Sequence, residues 1–153
     1  MHPIIDTLQR TPIRPDEKLV RSVMASVFNV DLVDDVPVKA QHAIIVLAYK
    51  LLVDMGHDPD HVVHILRFFR EAIEQWQPID RAILNLSDNR YAMFFTYERE
   101  FDEFKVLDYR EGEVLATAPE PLFQASVNLR ALAELLSTAM GPPGRYQSGV
   151  EEP

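Results

Sequence analysis

The chain has 153 residues, 47% of them hydrophobic and 25% charged, which suits one domain with a continuous core and excludes fibrous or repeat architectures. Zero cysteines exclude disulfides, thiolate catalysis and cysteine-ligated zinc, and a formal net charge of −9 argues against binding nucleic acid by phosphate neutralisation. No basic start leads into an apolar run at the N-terminus, and the most apolar stretch, Ala43 to Tyr49, falls far short of the about 20 residues a membrane span needs, so a soluble cytoplasmic protein is expected.

Residues 1–14, with Pro3 and Pro12, read as an extended lead-in. Pro15-Asp16-Glu17 then opens a helix whose apolar positions Leu19, Val20, Val23, Met24, Val27 and Phe28 fall on one face. Asn29 to Val36 is a connector. A second helix is predicted from Pro37 to about Met55; it is apolar nearly all round through Ala43 to Ala48, which marks it as the most enclosed element. Gly56 ends it, and Asp58-Pro59-Asp60 starts a third helix with Asp58 as N-cap. Val62, Ile65, Leu66, Phe69, Ile73 and Trp76 continue that helix at a 3.6 spacing.

Pro78 to Leu86 is compatible with a short fourth helix. After Ser87-Asp88-Asn89 the period changes to 2: Tyr91 to Tyr97 is a predicted strand, Phe104 to Tyr109 a second and Glu113 to Thr117 a third, with Arg110-Glu111-Gly112 as a hairpin loop. A last helix, capped by Ser126 or Asn128, carries Leu129, Leu132, Ala133, Leu136 and Met140 on one face. The expected fold class is α+β: an N-terminal bundle of three to four helices, a three-stranded antiparallel β-meander and a C-terminal helix. The expected organisation is a lead-in over 1–14, one domain over 15–140 and a disordered tail over 141–153.

Three groups of residues are chemically suggestive. His57, His61 and His64 are interleaved with Asp54, Asp58 and Asp60, and imidazole with carboxylate suits zinc, iron or nickel. Helix initiation accounts for Asp58 and Asp60 without any metal, and H-E-x-x-H is absent. The helix pair over 37–77 invites a helix-turn-helix reading with Arg67 and Arg70 as cationic contacts, yet its net charge is negative and the hairpin that would serve as a wing is more acidic still. The third group is that hairpin. From Glu98 to Glu113 the local net charge is −4, and Tyr97, Phe101 and Phe104 flank the acids Glu98, Glu100, Asp102 and Glu103.

No glycine-rich phosphate loop and no G-x-S-x-G appears, so the reading leans away from an enzyme and calls for no cofactor. The expected function is a non-catalytic protein-interaction domain, an adaptor, chaperone or inhibitor. Its binding residues would be Tyr97, Glu98, Glu100, Phe101, Asp102, Glu103 and Phe104, and its partner a protein with a basic surface. The first alternative is a winged-helix-like, transcription-associated DNA-binding protein. The second is a metal-dependent enzyme using His57, His61 and His64. Neither nucleic acid nor a membrane is an expected partner; a homodimer would follow if the first helix carried more apolar surface than the core takes up.

Overall fold

A computed structural model describes residues 2–68, 70–75, 89–98, 101–109, 123–141 and 150–151. Its helices are α1 (Pro3–Gln9), α2 (Glu17–Phe28), α3 (Ala40–Asp54), α4 (Pro59–Phe68), α5 (Arg70–Gln75) and α6 (Leu129–Met140). Its strands are β1 (Val38–Lys39), β2 (Asn89–Glu98), β3 (Phe101–Tyr109), β4 (Phe123–Asn128) and β5 (Val150–Glu151). Among the described residues helix predominates.

Helix α3 organises the core. Every residue from Ala40 to Ala48 is buried, so this segment has no solvent face and needs walls on all sides. Helices α1, α2, α4 and α6 supply them. Val20, Val23, Met24 and Val27 of α2, Val62, Ile65 and Leu66 of α4, and Leu129, Leu132 and Leu136 of α6 share one cluster with Ile44, Ile45 and Leu47. The face read for the first helix and the all-round burial read for the second are therefore what the core uses.

The α+β class with a three-stranded antiparallel β-meander is overturned. The described residues are mostly helical, and where strands pair, β2 lies between β3 and β4 in the order β3-β2-β4. A meander would put β3 in the middle. The third partner is Phe123–Asn128, where no strand was expected; Tyr91 stands opposite Asn128 and Thr96 opposite Phe123. Helix α6 follows at once, with Asn128, one of the two expected caps, accepting the Ala131 N–H on Oδ1 at 3.0 Å. The segment offered as the third strand, 113–117, lies outside the described residues, as do the loop 110–112 and the proposed helix 78–86.

Several boundaries also move. The lead-in is not extended, because Pro3–Gln9 is helical. Pro3 occupies the first turn, where its missing N–H costs nothing, and Ile4, Ile5 and Leu8 make a short apolar face that enters the core. Helix α2 begins after Asp16, whose Oδ1 accepts the Leu19 N–H at 2.8 Å, so the carboxylate and not Pro15 marks the start. Helix α3 starts at Ala40 and not at Pro37, because Val38 and Lys39 pair in parallel with Val150 and Glu151. Two residues of the expected tail are thereby tied to the domain.

Gly56, at φ 101°, ends the α3 segment as expected; the His57 N–H reaches back to the Leu52 carbonyl at 3.1 Å, the long bond of a Schellman closure. Asn29, at φ 57°, is the left-handed cap of α2. The expected third helix is described over Pro59–Phe68 (α4) and Arg70–Gln75 (α5), with position 69 between them outside the described residues.

Since Ile44 is fully enclosed by this cluster, its truncation to Ala should cost about 2–5 kcal/mol of unfolding free energy. Urea denaturation of Ile44→Ala checks this, against an exposed control such as Ser22→Ala on α2.

Candidate functional site

The acidic segment is a hairpin whose strands run closer to the turn than the sequence pattern suggests. Strands β2 and β3 are antiparallel, with Phe94 opposite Phe104, Phe95 opposite Glu103 and Thr96 opposite Asp102. The register then shifts, and Glu98 stands opposite Phe101. Tyr97 sits at that irregularity, where one strand carries an extra residue. Positions 99–100, including Glu100, lie outside the described residues. The pairing thus gathers Glu98, Phe101, Asp102, Glu103 and Phe104 onto consecutive rungs beside the turn. Sequence alone assigns most of these residues to a loop, because acids weaken the alternation that marks a strand.

The histidine group is arranged otherwise. Asp58 Oδ1 accepts the Asp60 N–H at 2.8 Å and the His61 N–H at 3.4 Å, so this carboxylate is the N-cap of α4. His57 and His61 are half-buried and His64 is exposed. Among the described residues no group of three or more His, Asp or Glu side chains is placed to hold a metal ion. Asp60 has a different neighbour: Tyr49 of α3, whose phenol is pushed above the usual tyrosine range by burial first and by the Asp60 carboxylate second.

The helical pair α3–α4 closes through the four-residue turn Met55-Gly56-His57-Asp58, as a helical hairpin does. Arg67 and Arg70 are both exposed. Exposed arginines are ordinary surface residues, and the acids Asp60 and Glu71 are exposed on the same elements, with Asp58 exposed just before them.

Two polar arrangements escaped the sequence reading. His42, in the first turns of α3, is buried, lies with its ring centroid 4.3 Å from that of Phe28, and donates from Nε2 to Glu74 Oε1 at 2.7 Å. Glu74 Oε2 is 3.4 Å from Lys39 Nζ, and Gln41 Nε2 donates to the Glu74 carbonyl at 3.2 Å. One residue of α5 therefore answers three polar side chains at the start of α3, a helix whose own N-cap makes no side-chain hydrogen bond. A carboxylate there also suits the positive end of the helix dipole. The available signal was a Gln-His pair beginning an otherwise apolar helix. The second arrangement is His2, which is buried between α1 and the connector and bonded at both ring nitrogens.

Comparison with protein-family models, curated proteins and solved structures finds no match to the chain. No helix among the described residues is long and apolar enough to cross a membrane.

Two measurements probe this region. Asp58→Ala should lower stability by about 1 kcal/mol, the worth of a lost N-cap, with Asp58→Asn restoring most of it; thermal unfolding reads both. For Tyr49 the raised pKa means that the folded state holds its proton longer than the unfolded chain. Its contribution is present below about pH 10 and is lost as pH rises further. Tyr49→Phe should therefore lose less stability than wild type between about pH 9 and 11, read by denaturant midpoints.

Proposed function

We propose that the chain is a non-catalytic protein-interaction domain that binds a partner with a basic surface through the hairpin Tyr97 to Phe104. The observation that supports this is the β2–β3 register, which sets Glu98, Asp102 and Glu103 close together beside the turn inside a stretch of local net charge −4. Among the described strands β3 pairs with β2 alone, so its acids lie on an outer strand. Charge concentrated on one outer element steers a basic partner at long range and sets which partners are rejected. The aromatic residues Tyr97, Phe101 and Phe104 in the same segment are of the type that supplies desolvated anchors once the charges have brought the surfaces together.

Adaptor, chaperone and inhibitor are the roles such a surface serves. A cytoplasmic location belongs to the same proposal and rests on the absence of cysteine. The DNA-binding and metal-enzyme alternatives have no comparable support, since the exposed arginines share their helices with exposed acids and the histidines form no ligand group.

The test is affinity capture with the tagged chain from its native source, with nuclease present. Wild type should retain a basic protein at low salt and release it as salt rises. Replacement of Glu98, Glu100, Asp102 and Glu103 by Ser should weaken binding of that protein by at least about tenfold at low salt and flatten its salt dependence. Unchanged affinity in this variant contradicts the proposal, as does capture that depends on intact nucleic acid.

A further inference from the structure

We propose that His2 is an acid-sensitive latch for helix α1. Its ring is 2% exposed and both nitrogens are committed: Nδ1 lies 3.0 Å from the Ile4 nitrogen, and Nε2 lies 2.7 Å from the Val36 carbonyl oxygen. The backbone partners fix the proton's place. The Ile4 N–H can only donate and the Val36 carbonyl can only accept, so the neutral ring protonated at Nε2 is the form that makes both bonds. A second proton must go to Nδ1, where it meets the Ile4 N–H donor to donor. The N-cap of α1 is then lost and a charge is left in a nearly water-free site.

The rest of α1 cannot hold the ring in place against this. Seven residues are too few for a helix to persist alone, and the segment depends on seating Ile4, Ile5 and Leu8 among α3 and α6. The state that accepts the proton is the one in which the Ile4 N–H leaves Nδ1 and the start of α1 opens. Its consequence is the exposure of those three apolar side chains and of the surfaces they cover on α3 and α6. Protonation of the ring therefore works against the closed state.

The ionisable groups on the surrounding elements pair among themselves or lie at the surface. Asp6 and Arg10 pair with each other on α1, Asp34 and Asp35 are exposed in the connector that carries Val36, and Arg130 pairs with Glu134 on α6. On α3, His42 pairs with Glu74 and Lys50 with Asp54. Charges near solvent are screened, whereas the reversal of the Nδ1 bond acts at contact.

Hydrogen exchange of the full chain, corrected for intrinsic rates and read by mass spectrometry on the α1 peptide, tests the latch. As the pH is lowered from about 7.5 to 5, the opening equilibrium of α1 should rise while α3 stays protected. His2→Asn keeps a side-chain oxygen for the Ile4 N–H but cannot titrate, so its α1 opening should not change over this range. Equal wild-type protection at both ends of the range overturns the proposal, and so does a His2→Asn chain with the wild-type pH response. Should that variant not fold, ring nitrogen shifts of wild type decide. The proposal requires the Nε2–H tautomer at neutral pH and loss of α1 helical signals in step with ring protonation. The other tautomer, or a protonated ring with α1 intact, overturns it.

Discussion

The enclosure of α3 is the constraint on which the rest of the structure depends. A helix buried over nine consecutive residues, Ala40 to Ala48, cannot be satisfied by one partner. The chain answers with four helices drawn from both ends of the sequence, so α1 and α6 are as much part of the core as α2 and α4. The same burial creates a polar obligation. Gln41 and His42 are carried inward with their apolar neighbours, and Glu74 on α5 meets them both. The position of the short α5 thus follows from what α3 buries at its start.

The helical half of the molecule was largely legible from residue spacing. Val20, Val23, Met24 and Val27 announce one face of α2, the run from Ala43 to Ala48 announces a central helix, and Asp58-Pro59 announces the start of α4; each does what its pattern implies. The errors lie where one residue type serves two structures. Pro3 reads as a breaker but is also a first-turn residue, and the difference is decided by His2 on one side and by Ile4, Ile5 and Leu8 on the other. Val38 and Lys39 read as the first residues of a helix, yet their pairing with Val150 and Glu151 is a contact across most of the chain, which no local window contains. The expected meander failed for the same reason: Phe123–Asn128 carries no pattern that names β2 as its neighbour.

The candidate site was legible in composition and not in geometry. Acids and aromatics between Tyr97 and Phe104 are visible in the sequence, but their arrangement as rungs beside a turn comes from the register. The histidines show the reverse. A spacing that suggested ligands resolves into a capped helix start, because Asp58 is engaged by the Asp60 and His61 backbone. His2 and His42, which carried no signal by spacing, are the two histidines that burial places under the strongest chemical constraint. In this chain burial, and not motif spacing, marks the histidines whose ring nitrogens are held by specific partners.

Native-state amide exchange on the intact chain tests the central claim most directly, because it ranks the elements by the free energy needed to expose them. If α3 is the element that the others enclose, amides from Ile44 to Ala48 should exchange only through global unfolding, more slowly than those of α1 or α5. Exchange of α3 that is as fast as that of either short helix would contradict the account.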